Sequence, residues 1–173
     1  MNYRNQLSKP LSKNFLDHIV VNVFENPKDF EVVFKLIFDA DKNTAWRAAW
    51  ACIKISEKYP DWFNEKQVAE IIDFALLVSH PSLHRGCLSI LYNLPLPKDI
   101  SVYFINACFE WMVSPKYPIA VQSLSMKILF EICKSDTDLS SELKSYLQNI
   151  DSNCYSVGYN TVRKNILKKL KIS

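Results

Sequence analysis

Glycine is scarce in this sequence of 173 residues, where only Gly86 and Gly158 occur and each stands alone. A loop that cradles a phosphate needs several glycines, because its backbone N–H groups must approach the anion without a Cβ in the way. Alternation of apolar and polar residues over the length of a strand is also missing. These two absences argue against a P-loop or Rossmann nucleotide site and against a β-sheet.

Cysteine motifs and long apolar runs are absent as well. The five cysteines form no C-x-x-C pair and mostly lie in apolar stretches: Cys52, Cys87, Cys108, Cys133 and Cys154. They are interpreted as small buried hydrophobic residues in a reducing compartment. Met1 to Leu11 contains no apolar stretch suited to a signal peptide, and no later segment approaches about 18 uninterrupted apolar residues. We therefore expect a cytoplasmic protein without a membrane partner.

An excess of positive charge is absent outside the end of the chain. From Tyr159 onward there are five basic residues and no acidic ones: Arg163, Lys164, Lys168, Lys169 and Lys171. The remainder holds 16 basic and 18 acidic residues, so the net charge of +3 belongs to the last predicted helix. A protein that follows a long phosphate backbone would usually carry its positive excess more widely. This distribution argues against nucleic acid as the main partner without removing that alternative.

Apolar residues recur at helical spacing from one end of the chain to the other. One stripe, for example, follows the i, i+3, i+4, i+7, i+8 pattern of a single helix face: Phe30, Val33, Phe34, Ile37 and Phe38. Stripes of this kind are separated by prolines or polar turn residues, which end helices. The sequence predicts an all-α chain of about nine helices, with short connections that favour antiparallel neighbours.

Four segments align as internal repeats: WRAAWACIKI from Trp46, HRGCLSILYN from His84, VQSLSMKILF from Val121 and VRKNILKKLK from Val162. The steps between them are 38, 37 and 41 residues. Each segment follows another amphipathic helix, so the unit is a helix hairpin of about 40 residues. We predict a single domain over 1–173, with a cap helix at 14–24 and four pairs at about 28–58, 64–94, 99–133 and 138–171.

These units resemble HEAT repeats, and the resemblance implies an α-α superhelix of the HEAT or armadillo solenoid type. In that family a basic residue early in the second helix pairs with an acidic residue of the preceding turn. The first unit keeps such a pair, in Asp39 or Asp41 with Arg47, and the last keeps Asp151 with Arg163. The resemblance therefore implies a partial ladder of ion pairs.

A narrower resemblance is to a family of small bacterial HEAT-like proteins. It rests on TAWRAAWACIKI, ACFEWMVSPKYPIAVQSLSMKILFEICK and the final VRKNILKKL. Some members of that family are labelled adenylosuccinate lyase. Lyases of that superfamily are far longer and carry a catalytic serine in an SSxMPxKxNP-like signature, which this sequence lacks. Adenylosuccinate lyase-like activity is the weakest of the three functional hypotheses.

No catalytic residue, cofactor site or metal site is predicted. His80 and His84 stand four residues apart, but Pro81 lies between them and no third ligand is near in the sequence. None of the cysteines has a recognisable base and oxyanion site beside it. We expect a protein that is not an enzyme and needs no cofactor.

The second helices of successive pairs line one concave face in a solenoid. On that face the aligned positions form a row, which Lys54 and Tyr92 extend by two turns: Arg47, Arg85, Gln122 and Arg163. The row is either a set of polar contacts between repeats, since arginines serve as packing spacers, or a groove for a peptide or protein. Trp46 and Trp50 share a helix face and are expected in the core.

The leading hypothesis is a non-enzymatic module that binds a protein or peptide on its concave face and acts as a scaffold. The alternative is nucleic-acid binding or repair, because some helical-repeat proteins of similar plan are alkylpurine DNA glycosylases. The basic last helix supports this alternative, together with Arg47 and Arg85, and Trp46 is the candidate aromatic wedge. The patterns indicate neither the identity of the partner nor the oligomeric state.

Overall fold

The computed structural model describes residues 2–9 and 13–170, and Lys171 of the predicted basic helix lies outside them. Ten α-helices follow in order: α1 (Tyr3–Ser8), α2 (Lys13–Glu25), α3 (Phe30–Lys35), α4 (Lys42–Lys58), α5 (Glu65–Leu77), α6 (Pro81–Asn93), α7 (Val102–Val113), α8 (Ile119–Cys133), α9 (Thr137–Asn149) and α10 (Val157–Lys169). Short 3-10 helices at Pro27–Asp29, Leu36–Phe38, Pro60–Trp62 and Ser152–Cys154 join them. The described ranges contain no strand, and the predicted all-helical repeat fold is confirmed.

Helix α1 has no counterpart among the predicted stripes, whereas α2 to α10 correspond to the nine predicted helices. Its two buried side chains, Tyr3 and Leu7, are four residues apart. The Tyr3 hydroxyl donates to Asp29 Oδ2 at 2.7 Å, and Arg4 holds both carboxylate oxygens of Asp39 at 2.6 and 3.2 Å. Three side chains thus fasten a helix of only six residues to the segments that flank α3.

The starts of several helices are fixed by side-chain caps. Asn64 and Gln67 form a reciprocal capping box at the start of α5, where each side chain bonds the other's backbone N–H. Asp136 accepts from the backbone N–H of Leu139 at the start of α9. His80 Nδ1 accepts from the backbone N–H of Leu83, so this histidine serves helix entry in α6.

Contacts group the chain into two compact units, Met1–Pro95 (unit 1) and Leu96–Ser173 (unit 2). The boundary falls in the proline-containing segment between the predicted second and third pairs. The four predicted helix pairs divide two and two between the units without any pair being split, and the single domain over 1–173 stays a prediction.

Unit 1 is built around α4, which packs chiefly on α6 and also contacts α1, α2 and α3. The buried side of α4 consists largely of small residues: Ala45, Ala48, Ala49, Ala51 and Cys52. A Cβ placed on Gly86 would lie 3.0 Å from the Cβ of Ala49, tighter than ordinary van der Waals contact. Gly86 therefore permits the close approach of α4 and α6 that the small residues favour.

In unit 2, α8 packs on α7, α9 and α10. The rings of Tyr155 and Tyr159 are stacked, with centroids 4.2 Å apart, and their hydroxyls donate to the backbone of α7. Tyr159 bonds the carbonyl of Met112 at 2.9 Å, and Tyr155 bonds that of Val113 at 2.7 Å. The last carbonyls of a helix have no partner within it, so these tyrosines join α10 to the end of α7.

Candidate binding face

Arg47 lies early in α4 and bonds the end of α1. Its Nη1 atom donates to the carbonyls of Leu7 at 2.7 Å and Lys9 at 2.8 Å. The acidic residues implied by the HEAT resemblance are engaged elsewhere, since Asp39 pairs with Arg4 and the Asp41 side chain accepts from Thr44. The expected Asp–Arg pair of the first unit does not form, because α1 brings both a competing arginine and unpaired carbonyls to this place.

The aligned residues of unit 2 also donate hydrogen bonds to backbone carbonyls at the ends of helices. Gln122, which is 4% exposed, donates from Nε2 to the carbonyl of Ser114 just after α7, at 2.8 Å. Arg163 donates from Nε to the carbonyl of Leu147 at 2.5 Å and from Nη2 to that of Gln148 at 3.4 Å, both in the last turn of α9. Asp151 accepts from the backbone N–H of Asn153, so the expected Asp151–Arg163 pair is also wrong.

The aligned position is therefore a helix-capping position in three of the four repeats. A long side chain with an N–H donor, placed early in one helix, satisfies the orphan carbonyls at the end of an earlier helix. Of the two roles that the sequence leaves open for this row, Arg47, Gln122 and Arg163 therefore have the structural one, as polar contacts within the fold. The acceptors are backbone carbonyls, which carry no sequence signature.

Arg85 differs from its three aligned counterparts. Its side chain is exposed, and within ranges 2–9 and 13–170 it has no hydrogen bond, ion pair or ring contact. The repeat alignment alone cannot separate Arg85 from Arg47, because both are arginines at the same register. The structure leaves this guanidinium available on the surface of unit 1.

We give the name α4–α6 face to five side chains of these two packed helices that are exposed or half-buried: Trp46, Trp50, Lys54, Arg85 and Tyr92. The first three recur every four residues on α4, and the last two stand seven apart on α6, so each set follows one side of its helix. The Gly86–Ala49 approach sets the two helices side by side. The face therefore combines three aromatic side chains with two basic ones.

Trp46 and Trp50 are half-buried, so their predicted place in the core is wrong. Trp111, by contrast, is 5% exposed and lies in the core of unit 2. The Arg47 guanidinium carbon is 5.9 Å from the Trp46 ring centroid, within the range of a cation–π contact. The apolar pattern did not predict that the Trp46 and Trp50 indoles are partly exposed.

Charge on the α4–α6 face is positive and localised. Lys54 pairs with Glu57 at 3.0 Å, one turn along the same helix, so its charge is largely balanced at short range. Arg85 has no such partner in the described part of the chain. Tyr92 is 41% exposed and adds a ring with a polar tip. The face can hold a ligand that has one negative group next to apolar side chains.

The buried titratable side chains of α4 and α6 that follow are neutral at neutral pH. Burial raises the pKa of the Cys52 thiol, and it raises that of Cys87 to about 12. Burial also lowers the pKa of His84 to about 4. Protonated thiols and a neutral imidazole in the interior are neither nucleophiles nor charged binding groups at neutral pH. The chemistry of the face therefore lies in its exposed side chains.

Two further structural findings bear on the sequence predictions. Within the described ranges, no group of three or more His, Cys, Asp and Glu side chains is arranged to hold a metal ion. None of the described helices is both long enough and apolar enough to cross a bilayer.

Comparison with known proteins gives one family. The family model described as HEAT repeat domain matches residues 3–170. No curated protein and no solved structure matches the chain. The match agrees with the all-helical fold described above. The chain belongs to the HEAT repeat domain family.

Proposed function

We propose that this protein is a non-enzymatic binding module that holds, on the α4–α6 face, a segment of another protein with one carboxylate next to apolar side chains. Helical repeats generally present a surface of successive helices to extended partners. The proposal places that surface within unit 1, where α4 and α6 pack side by side. The observation that carries it is the exposed, unpaired guanidinium of Arg85.

Arg85 is the central residue of this proposal because its side chain has no structural role within the described fold. Its aligned counterparts are engaged in capping helix ends, whereas Arg85 has no such bond in the described chain. Trp, Tyr and Arg are the side chains enriched where binding energy concentrates in protein interfaces. Trp46, Trp50, Tyr92 and Arg85 bring all three types to one surface.

The partner expected from this chemistry carries a carboxylate close to apolar side chains. Arg85 offers planar, paired N–H donors that match a carboxylate, and the half-buried indoles offer apolar ring surface next to it. Lys54 is balanced by Glu57, so the partner needs one well-placed negative charge rather than a long acidic run.

A random peptide library selected on the wild type and on Arg85→Glu tests the proposal. Peptides that pair an acidic with an apolar residue should be enriched on the wild type, and their Kd should rise at least about tenfold on Arg85→Glu, since a charge-assisted bond contributes about 1.5–3 kcal/mol. Lys28→Glu is the matched control, because Lys28 is also exposed in unit 1 and has no polar partner in the described chain. Equal affinity for Arg85→Glu and the wild type would contradict the proposal.

Nucleic-acid binding is the second candidate, and the charge of unit 2 favours it. Residues 96–173 hold 10 basic and 7 acidic side chains, whereas residues 1–95 hold 11 of each. Lys164, Lys168 and Lys169 are exposed on α10. Binding to duplex DNA measured at several salt concentrations distinguishes this candidate, because each phosphate contact adds to a steep negative salt slope. Under the peptide-binding proposal we expect no such slope.

A further inference from the structure

Unit 2 contains a pocket of about 410 Å³ where the end of α8, the beginning of α9 and the end of α10 meet. This volume falls in the range of about 300–1,000 Å³ that is typical of small-molecule sites. The pocket shares no residue with the α4–α6 face, so it is independent of the peptide-binding proposal.

Three side chains form the apolar wall of this pocket: Phe130, Cys133 and Leu170. Cys133 and Leu170 are buried, at 4% and 7% exposed. Burial, together with the negative charges of Asp136 and Glu142, raises the pKa of the Cys133 thiol to about 12. At neutral pH this side chain is a neutral, apolar part of the wall.

The charged side chains that line the pocket are both lysines. Lys134 pairs with Glu131 along α8, at an Nζ–Oε2 distance of 2.5 Å. Lys144 lines the pocket from α9 and has no ion pair within the described part of the chain. Thr137 and Ser140 also line the pocket and bring hydroxyl groups to it. The polar wall therefore presents ammonium and hydroxyl donors.

Positive charge is held at this pocket by the Phe130 ring. Lys134 Nζ lies 5.3 Å from the ring centroid, and Lys169 Nζ lies 5.4 Å from it. Ammonium groups at this distance are attracted to the ring quadrupole. Of the nearby carboxylates, Glu131 is paired with Lys134, Asp136 accepts from the backbone N–H of Leu139, and Glu142 is exposed to solvent. None of these three acids forms an ion pair with Lys144, so its ammonium is available to a ligand.

We infer that this pocket binds a small organic anion, whose carboxylate or phosphate group contacts the ammoniums of Lys134 and Lys144 while its apolar part packs on Phe130 and Leu170. Because one wall is polar and the other apolar, a tight ligand needs both an anionic group and an apolar part. An inorganic anion lacks the apolar contact, and a neutral aromatic compound lacks the ionic one.

Titration of the ¹⁵N-labelled full chain with four probes tests this inference by amide chemical shifts. Phenyl phosphate and benzoate combine both properties and distinguish phosphate from carboxylate as the preferred anion. Inorganic phosphate and benzyl alcohol each carry only one. We expect either combined probe to shift the amides of residues 133–144 and to bind at least about tenfold more tightly than the single-property probes.

Lys144→Gln should weaken the tighter combined probe about tenfold, since a charge-assisted contact is lost. Lys164→Gln is the control, because Lys164 is exposed on α10 and does not line the pocket. Equal melting temperatures for the two variants would show that both are folded. Absence of localised shifts would overturn the inference, as would equal affinity for Lys144→Gln and the wild type.

Discussion

The two units use the aligned position of the repeat differently. In unit 2 both aligned side chains, Gln122 and Arg163, cap the end of an earlier helix. In unit 1, Arg47 does so and Arg85 does not. A side chain that satisfies buried backbone groups is explained by folding alone. The comparison therefore directs the search for function to Arg85 and its surroundings.

The units also differ in their titratable groups. All three histidines, His18, His80 and His84, lie in unit 1. His84 is 4% exposed, and its pKa is lowered by burial. Unit 2 carries the positive excess but no histidine. Mild acid should therefore lower the stability of unit 1 by protonating His84, because unit 2 has no histidine.

The largest expected effect is the loss of stability in acid caused by His84. Its pKa is about 4 in the folded chain, against 6.5 ordinarily, so below pH 6.5 the unfolded chain binds the proton more strongly. Stability should fall as the pH drops from 6.5 to about 4, by up to about 1.4 kcal/mol per pH unit. Urea unfolding at several pH values measures this slope. His84→Leu should flatten it, and an unchanged slope in that variant would contradict the assignment.

Gly86→Leu should destabilise the protein by about 1–3 kcal/mol, because the seam between α4 and α6 is already close-packed. Gly158→Leu is the matched variant in unit 2, since a Cβ there would have Ser156 Oγ as its nearest neighbour, at 3.9 Å. We expect that variant to melt no lower than the wild type. Thermal unfolding followed by circular dichroism compares the two, and similar melting temperatures would refute the close approach.

Arg47→Met should destabilise the protein by about 1–2 kcal/mol, because the carbonyls of Leu7 and Lys9 lose their donor. Arg85→Met should change stability by less than about 0.5 kcal/mol, as is usual for surface positions without specific contacts. Urea denaturation of both variants measures the contrast. Equal losses would mean that Arg85 also has a structural task, and the basis for the α4–α6 face would weaken.

The smallest expected effect is at Tyr155. Tyr155→Phe removes the bond to the carbonyl of Val113 and should destabilise by about 0.5–1.5 kcal/mol, while keeping the stacked ring. Tyr103→Phe is the control, because Tyr103 is 81% exposed and its hydroxyl forms no bond in the described chain. Chemical denaturation resolves a difference of this size, and equal stability of the two variants would mean that the hydroxyl of Tyr155 is dispensable.

Helix positions could be predicted because each helix buries one face, and burial leaves an apolar stripe in the sequence. Helix α1 left too short a stripe, since its six residues place only Tyr3 and Leu7 inward. Trp46 and Trp50 were assigned to the core by their apolar character. The buried side of α4 is lined with alanines and meets Gly86, so large rings do not fit there and lie at the surface.

The candidate sites were less predictable because their contacts join distant segments. The alignment gives Arg47 and Arg85 the same position in their repeats but could not show that Arg47 bonds the carbonyls of Leu7 and Lys9 whereas Arg85 bonds none in the described chain. The pocket of unit 2 combines residues from three helices, and none of its lysines stands in a recognisable motif. Such sites are determined by packing, which a pattern within one helix does not encode.

The uneven burial of the tryptophans gives each unit an optical signal of its own. Unit 1 contains Trp46, Trp50 and Trp62, all half-buried, whereas Trp111 is the one tryptophan in the sequence of unit 2 and lies in its core. Indole emission shifts to longer wavelength with exposure to water, so the blue edge of the fluorescence spectrum reports on unit 2. A ligand seated on the α4–α6 face should instead change emission at the red edge.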